Sequence, residues 1–227
     1  MAPRISVIIP VFNEEKSIGL VLDALPRDRL HEIIVVNNAS TDDTAKVARE
    51  HGAHVVYEPR RGYGSACLKG IGELDNPDIV VFVDGDFSDY PEEIDKLVKP
   101  IIEGERDFVL GSRMILPQSQ AALLPQARYG NKLAVFLIRL FFGGRFTDLG
   151  PFRAIRFDSL KAIGMVDTNF GWTVEMQIKA LKQNFRILEI PVKYRARVGV
   201  SKITGTVSGT VKAGTKIIYT ITKYLLT

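Results

Sequence analysis

Short apolar runs alternate with segments of helical periodicity along the first half of the chain. Five of these runs have the length and composition of buried strands, at residues 5–10, 32–37, 54–57, 78–83 and 108–110. Between them, apolar side chains recur every three or four positions, which predicts helices over residues 14–25, 41–50 and 65–74 and from Pro91 onward. Ser40 is expected to cap the second of these helices. The alternation predicts an α/β fold with a mostly parallel sheet flanked by helices.

The second half of the chain has a less regular pattern. In chain order we expect an apolar helix between basic side chains, a second helix, and a strand pair or bent strand around Pro191, at residues 133–142, 173–183 and 185–194. Residues 203–227 form the tail and predict an amphipathic helix. Its lysines lie four and seven positions apart, which places them on one helical face: Lys212, Lys216 and Lys223.

The formal net charge of the 227 residues is +4, but the charge is unevenly distributed. Residues 190–227 contain seven Lys or Arg and no Asp or Glu, so the other 189 residues contain 23 basic and 26 acidic side chains. A basic C-terminal region, residues 190–227, on a slightly acidic body indicates an anionic partner. Phosphate, an anionic membrane surface and nucleic acid are all open at this point.

The chain lacks the usual signals of export or membrane insertion. Cys67 is its only cysteine, so no internal disulfide can form. The first apolar run is too short for the core of a signal peptide, and no uncharged apolar run approaches the ~20 residues that span a bilayer. We expect a cytosolic protein, soluble or peripherally associated with a membrane.

Asp84-Gly85-Asp86 follows the fourth predicted strand directly. In open α/β sheets, ligands bind beyond the carboxyl ends of the strands. Two carboxylates at such a position suit Mg²⁺ or Mn²⁺, which combine one or two protein carboxylates with phosphate oxygens. The alternative is a solvated turn, because Asp and Gly are common turn residues. The place of the tripeptide after a buried strand favours a site.

Seven motifs in a fixed order give the chain a family resemblance. Three of them are typical of family 2 glycosyltransferases of GT-A fold, namely SVIIPVFNE at 6–14, IIVVNNASTD at 33–42 and VDGD at 83–86. The others resemble motifs of polyprenyl (dolichyl) phosphate mannose and glucose synthases, at 111–113, 128–131, 147–153 and 197–202. The resemblance implies a GT-A domain over residues 1–202, with a nucleotide-sugar half (1–113) and an acceptor half (114–202).

The resemblance also implies roles for individual residues. A nucleotide sugar, GDP- or UDP-hexose, would be bound by Pro10, Asn13, Glu14, Asn38, Asp42 and Asp84. Mg²⁺ or Mn²⁺ would be held by Asp84 and Asp86. Gly62 and Gly64 either relax a turn or let their loop pass close to the nucleotide. The catalytic set would be Asp86, Arg113, Arg128 and Asp148, and the acceptor set Arg128, Asn131, Arg153, Glu175, Arg197 and Lys202.

Two carboxylates at the acceptor end have open roles. Asp148 orients other groups, acts as a base, or is a turn carboxylate that pairs with Arg153. Glu175 is the rival candidate for this role at the acceptor end, and the alternative is an ordinary acid on a helix face. Because an acceptor phosphate is already anionic near neutral pH, it needs little help from a base. The arginines would serve both the donor diphosphate and the acceptor phosphate, since Arg binds phosphate bidentately.

Departures from the family pattern also bear on function. The usual acidic pair after the second strand is Asn37-Asn38 here, and Ser88 stands where the synthases often have Gln or His. The Gln-x-x-Arg-Trp motif of processive synthases is absent, which favours transfer of one sugar. The full G-x-G-x-x-G fingerprint of dehydrogenases is also absent.

We therefore expect an inverting enzyme that transfers mannose or glucose to a polyprenyl (dolichyl) phosphate at the cytosolic membrane face. The tail and residues 133–142 are the candidate membrane contacts, with packing on the sheet as the alternative. A glycosyltransferase with a soluble or cell-wall acceptor is a second possibility. Nucleic-acid binding is a remote one, because the basic residues lack interleaved aromatic platforms and a recognition-helix motif. We expect no nucleic-acid partner.

Overall fold

The computed structural model describes residues 2–199 and 207–226. Seven strands form one sheet in the order β3-β2-β1-β4-β6-β5-β7. The strands are β1 (Ile5–Val11), β2 (Glu32–Asn37), β3 (His54–Tyr57), β4 (Ile79–Phe82), β5 (Phe108–Ser112), β6 (Arg153–Arg156) and β7 (Ile187–Pro191). The predicted mostly parallel α/β sheet is confirmed, with β6 as the one antiparallel strand among the seven described.

Helices cover both faces of this sheet. They are α1 (Ile18–Ala24), α2 (Thr44–Glu50), α3 (Tyr63–Gly72), α4 (Ile94–Ile102), α5 (Pro117–Ala122), α6 (Pro125–Phe142), α7 (Phe157–Ile163), α8 (Trp172–Lys182) and α9 (Val207–Leu226). One apolar core lies between the sheet and α1, α2 and α4, and a second lies between the sheet and α3, α7 and α8. A third, smaller cluster joins α6, α8 and α9. The predicted C-terminal helix is therefore present and packs on the body of the protein.

Strand β6 was not predicted, and it determines where the acceptor-side residues lie. It pairs antiparallel with both β4 and β5, so that Arg153 faces Phe82 in one neighbour and Leu110 in the other. The segment before β6 therefore arrives at the same edge as the ends of β4 and β5. This insertion brings Asp148 next to Arg113, which is 35 positions away in the chain.

The predicted cap at Ser40 is wrong. Helix α2 begins at Thr44, and Asp42 accepts a hydrogen bond from the Thr44 amide at 3.1 Å. The Ser40 hydroxyl instead accepts the amide proton of Asn13 at 3.0 Å. Asn13, two residues after the end of β1, has a positive φ of 53°, and α1 begins at Ile18. These bonds join the loops that follow β1 and β2.

Candidate functional site

A cavity of about 320 Å³ opens at the carboxyl ends of β1, β2 and β4. We call it the carboxylate cavity. Five residues predicted for the donor site line it, namely Pro10, Glu14, Asn38, Gly62 and Asp84. Arg197, predicted for the acceptor site, and Asp86, predicted as a metal ligand and catalytic residue, line it as well. The cavity therefore lies where ligands bind in open α/β sheets.

The two carboxylates of the Asp84-Gly85-Asp86 motif have different partners. Asp84 Oδ1 accepts a hydrogen bond from the Tyr63 hydroxyl at 3.1 Å. Asp86 Oδ1 accepts the Ser88 amide at 2.9 Å and the Ser88 hydroxyl, while Asp86 Oδ2 lies 3.1 Å from Arg197 Nη1. Burial and the nearby Asp86 raise the pKa of Asp84 to about 7, although the bond from Tyr63 opposes this. Ser88 thus orients Asp86.

The chemistry of this carboxylate pair fits a hard divalent cation. Asp86 already pairs with a guanidinium, which indicates that the position favours positive charge. Within residues 2–199 and 207–226, no cluster of three or more His, Cys, Asp or Glu side chains is arranged to hold a metal. A cation at Asp84 and Asp86 would therefore need further ligands, such as the phosphate oxygens that complete many Mg²⁺ sites.

A second, larger cavity of about 680 Å³ adjoins the first and extends between α6 and α9. We call it the apolar cavity. The two share a boundary formed by Tyr63, Asp84, Asp86, Phe170 and Arg197. The far walls are aliphatic and come mainly from the two helices, with Leu133, Ala134, Leu137, Ile217 and Ile218 among them. Charge is concentrated at the inner end.

Arg113 provides part of that charge and is held by Asp148. Arg113 Nε and Nη2 donate to the two Asp148 oxygens at 2.7 and 2.9 Å, and the Arg113 amide donates to Oδ2 at 2.9 Å. Burial alone would raise the pKa of Asp148, but the Arg113 guanidinium and these hydrogen bonds hold it below its usual value. Arg113 lines the apolar cavity, and Asp148 is 1% exposed. Asp148 is therefore a positioning residue for Arg113, and its alternative pairing with Arg153 is wrong.

Arg153 and Glu175 are turned into the protein. Arg153 is fully buried and donates to the carbonyl oxygens of Leu149, Gly150 and Thr173. Burial lowers its pKa to about 10. In this structure the Arg153 side chain therefore has no surface open to a ligand, and its predicted contact with an acceptor stays a prediction.

Glu175 is also fully buried, and its carboxylate is occupied by protein donors. It accepts the Asp167 amide at 2.7 Å and the Tyr224 hydroxyl at 2.6 Å, and it lies 2.8 Å from Lys179 Nζ. Glu175 therefore connects α9 to the loop before α8, and its predicted acceptor role stays a prediction.

Asn131 has a supporting role on the wall of the apolar cavity. Its amide nitrogen donates to the Thr147 carbonyl at 2.9 Å, and its amide oxygen accepts the Leu149 amide at 2.8 Å. These bonds fix the segment that contains Asp148. The predicted Arg128 lies outside the residues that line either cavity and donates to Gln120 at 3.0 Å. Lys202 lies outside the described residues.

On the donor side, Asn38 supports a loop. Its amide nitrogen donates to the carbonyls of Glu58 and Arg60, at 3.1 and 2.7 Å, and its oxygen accepts the Gly62 amide at 2.8 Å. The nearby Asn13 amide oxygen accepts the Thr41 amide at 2.8 Å. Neither Asn13 nor Asp42 is part of the cavity wall.

Gly62 and Gly64 are required by protein packing. A Cβ at either position would lie within about 2.1 Å of a backbone oxygen, of Thr168 and Asp167 respectively. The loop therefore passes close to residues 167–168, where the sequence suggested a close approach to the nucleotide or a simple turn. Gly62 also has a φ of 150°, which disfavours any side chain.

Sequence reasoning missed several aromatic residues of the site. Tyr63 binds Asp84, Phe170 separates the two cavities, and Tyr194 lies beneath Arg113 with its ring centre 5.1 Å from the guanidinium carbon. Tyr63, the first residue of α3, and Phe170, in the segment before α8, each lie beside a glycine, which is the one local signal that could have indicated them.

An exposed apolar stripe follows the outer face of α6. Tyr129, Phe136 and Leu140 are 58–73% exposed and recur at helical spacing, and Leu133, which also lines the apolar cavity, is 49% exposed. Ala134 and Ile138 face the protein. In the tail, Lys216 Nζ lies 2.8 Å from the Asp167 carboxylate, so this lysine is paired within the protein. No helix in the described part of the chain is both long and apolar enough to cross a bilayer.

Comparison with known proteins now identifies the family. Residues 6–164 match the family model described as glycosyl transferase family 2. The chain belongs to this family. The predicted family, GT-A fold and enzyme class, a glycosyltransferase, are all confirmed.

Two curated relatives of this glycosyltransferase cover most of both chains. An uncharacterized glycosyltransferase of Mycobacterium tuberculosis is 36% identical over 210 residues, which are 92% of this chain and 94% of the relative. An undecaprenyl-phosphate mannosyltransferase of Micrococcus luteus is 31% identical over 222 residues, covering 91% and 90%.

A solved structure with the same fold is glucosyl-3-phosphoglycerate synthase from Mycobacterium tuberculosis, in complex with Mn²⁺, UDP and phosphoglyceric acid. It has a TM-score of 0.81 at 23% identity and covers 98% of this glycosyltransferase and 78% of the synthase. At that identity the likeness shows the GT-A fold alone.

Proposed function

We propose that this glycosyltransferase transfers one hexose, mannose or glucose, from a GDP- or UDP-sugar to a polyprenyl phosphate, with inversion at the anomeric carbon. The observation that carries the proposal is the apolar cavity that adjoins the carboxylate cavity. A soluble phosphorylated acceptor has no apolar chain to place in the apolar cavity between α6 and α9, whereas burial of an isoprenoid chain there lowers the free energy of binding. The Micrococcus relative, named as an undecaprenyl-phosphate mannosyltransferase, supports the same acceptor class.

In this proposal the carboxylate cavity binds the donor. The nucleotide lies against Pro10, Glu14 and the loop supported by Asn38, and the diphosphate lies at Asp84 and Asp86. Those two aspartates would hold Mg²⁺ or Mn²⁺, which when bound stabilises the negative charge on the departing nucleoside diphosphate. Most of the donor half would thus come from residues 1–113, together with Arg197, and most of the acceptor half from residues 114–202, together with Arg113.

The acceptor phosphate would lie at the inner end of the apolar cavity. Arg113 is the principal cation there, because it lines the cavity and Asp148 holds its guanidinium in a fixed orientation through two hydrogen bonds. The acceptor phosphate oxygen attacks the anomeric carbon, forms the new C–O bond, and the bond between that carbon and the diphosphate oxygen breaks. Since the phosphate is already anionic, no protein base is needed for this step, and the buried Asp148 and Glu175 serve structure instead.

The exposed stripe on α6 would place the enzyme at the cytosolic membrane surface. A helix with an apolar outer face and basic flanks, such as Lys132 and Arg139, suits the interfacial region of a bilayer. Polyprenyl chains reside in the bilayer, so contact along α6 would bring the opening between α6 and α9 to the acceptor. Lys212 and Lys223 are exposed on α9 and would add attraction to anionic lipid.

The test is transfer of label from a radiolabelled nucleotide sugar. The protein is incubated with Mn²⁺ or Mg²⁺, a long-chain polyprenyl phosphate, and GDP-mannose, UDP-glucose or UDP-mannose in parallel. We expect one donor to give label that partitions into organic solvent and depends on the polyprenyl phosphate. Absence of extractable label with every donor would contradict the proposal.

A further inference from the structure

Arg197 lies directly over the carboxylate pair because the main chain fixes it there. The segment that follows β7 returns across the loop after β4, where the Arg195 amide donates to the Ser88 carbonyl at 2.9 Å. The Val198 amide donates to the Asp86 carbonyl at 3.0 Å. The backbone on both sides of Arg197 is therefore hydrogen-bonded to the loop that contains Asp86.

The Arg197 guanidinium bridges two carboxylates from different strand ends. Its Nη2 donates to Glu14 Oε1 at 2.5 Å, and its Nη1 lies 3.1 Å from Asp86 Oδ2. The side chain is 22% exposed and lines both cavities. The sequence predicted an acceptor role for Arg197 and, with the other arginines, a share in binding the donor diphosphate; in the structure its charge lies against the donor-side carboxylates.

Asp86 uses both of its oxygens in this arrangement. Oδ1 accepts from Ser88 and Oδ2 pairs with Arg197. A divalent cation that binds Asp86 must therefore take the oxygen that Arg197 contacts, and the two positive charges repel each other at that distance. A diphosphate removes the conflict, since it provides negative charge that binds the cation and an arginine at the same time.

We propose that Arg197 competes with the divalent cation for Asp86 and transfers its guanidinium to the donor diphosphate when cation and nucleotide bind together. The inference rests on the proposed function, because it assumes that Asp86 binds the cation. Its consequence is a binding order. The cation alone binds weakly, and cation and nucleoside diphosphate each strengthen the binding of the other. Arg197 thus opposes cation binding when no nucleotide is bound, and it shares the diphosphate with the cation when the nucleotide is bound.

The test measures Mn²⁺ binding without any sugar donor, from the electron paramagnetic resonance signal of free Mn²⁺. We compare the full-length protein with Arg197→Met, Arg197→Lys and Arg61→Met. Arg61 is a matched control because it lines the same cavity and stacks on Phe12, with 3.5 Å between the guanidinium carbon and the ring centre. Melting temperatures establish that each variant is folded.

We expect Arg197→Met to bind Mn²⁺ alone about tenfold more tightly than the parent protein, because the competing charge is gone. The same variant is expected to lose about tenfold in affinity for UDP or GDP, measured with Mn²⁺ present, because a charged contact to the diphosphate is lost. Arg197→Lys keeps the positive charge and should bind Mn²⁺ alone as weakly as the parent. Arg61→Met should also leave the affinity for Mn²⁺ alone unchanged.

Failure of the inference and failure of the proposed function give different results. If Asp86→Asn weakens Mn²⁺ binding but Arg197→Met binds Mn²⁺ no more tightly than the parent protein, the competition is overturned and the cation site stands. If Asp86→Asn binds Mn²⁺ as tightly as the parent protein, the cation site is overturned, and the competition with it.

Discussion

The donor and acceptor sides of this glycosyltransferase are built in different ways. The carboxylate cavity is formed mainly by short segments that follow β1, β2, β3 and β4, so most of its motifs are local in the sequence, and only Asn169, Phe170 and Arg197 come from the second half of the chain. The apolar cavity is formed by α6, α9 and the segment after β7, which are far apart in the chain. Strand ends therefore determine the donor site, and long-range helix packing determines the acceptor site.

The two sides also use buried charge differently. Asp84 and Asp86 face a cavity that could admit a ligand, and Arg197 supplies the nearby positive charge. On the acceptor side, Asp148, Arg153 and Glu175 are almost fully buried and satisfied by protein groups. Charge at the donor edge is therefore available for chemistry, whereas most of the buried charge on the acceptor side fixes loops and leaves Arg113 to contact the ligand.

The largest expected effect lies on the donor side. Asp86→Asn should lower kcat by roughly a hundredfold or more, because the charge that develops on the leaving diphosphate is no longer stabilised. The melting temperature should change less than in Asp148→Asn, because Arg197 is partly exposed and keeps its ion pair with Glu14. The measurement is the initial rate of hexose transfer. Asp43→Asn is the control, because Asp43 is an exposed acid outside the cavity wall. Equal losses in both variants would contradict the assignment.

The next effect tests the buried support of Arg113. Asp148→Asn leaves the guanidinium without its charged partner, and breaking such a buried pair costs about 3–5 kcal/mol of the free energy of unfolding. Urea denaturation at pH 7 measures this loss. Asp158→Asn is a suitable control, because Asp158 lies in an exposed ion pair with Lys161. A loss as small as that of the control would show that the pair does not stabilise the fold.

The same variant gives a test by pH. The pKa of Asp148 is lower in the folded protein than its ordinary value of 3.8, so its contribution to stability is complete above about pH 4. That contribution is lost as the pH falls through the lowered pKa, when the folded protein also takes up the proton. The difference in unfolding free energy between the parent protein and Asp148→Asn should therefore narrow below pH 4. A difference that widens there would contradict this account.

A moderate effect is expected from narrowing the apolar cavity. Gly214 lines it from α9, and an added Cβ would meet no atom within 4 Å. Gly214→Leu should raise the KM for a long-chain polyprenyl phosphate about tenfold through the lost burial of a few methylene groups, at about 0.8 kcal/mol each. The KM for the nucleotide sugar should stay constant. Gly72→Leu is the control, since Gly72 is a helical glycine with equally open surroundings, away from both cavities.

The smallest effect is expected at the outer surface of α6. Phe136→Asp should weaken binding to vesicles with anionic lipid, because an exposed apolar side chain becomes charged. Sedimentation with vesicles measures the bound fraction. Ile102→Asp is the matched variant on α4, where Ile102 is 48% exposed and lies outside the apolar stripe. Equal binding by both variants would remove α6 as the membrane contact.

The contrast between the two sides explains what the sequence could predict. Alternating strands and helices determine a parallel sheet, and parallel strands bring their ends to one edge, so Asp84, Asp86 and Glu14 could be grouped from local motifs. Strand β6 has four residues and begins and ends with arginine, a pattern that does not distinguish it from a loop. Without β6, the pairing of Asp148 with Arg113 could not be predicted.

Burial of charge was the second limit. Arg153 and Glu175 lie in motifs typical of phosphate and acceptor contacts, and charged residues are almost never fully buried unless they are paired. The hydrogen-bond partners of Arg153 are backbone carbonyls, which leave no signal in the sequence. Glu175 accepts backbone amides and the Tyr224 hydroxyl from α9, and of its partners only Lys179, four positions on, is visible as a local pattern. The apolar residues of α6 had two interpretations, and the structure assigns Ala134 and Ile138 to the core and Phe136 and Leu140 to the surface.

The dependence of catalysis on acceptor chain length tests the central claim most directly. In the parent protein, kcat/KM is measured for a long-chain polyprenyl phosphate and for a phosphate with a single isoprene unit, at equal detergent concentration. If the chain is buried between α6 and α9, kcat/KM for the long acceptor should be at least about a hundredfold higher, since burial of a few methylene groups provides that difference. Equal values for the two acceptors would contradict a lipid-binding role for the apolar cavity.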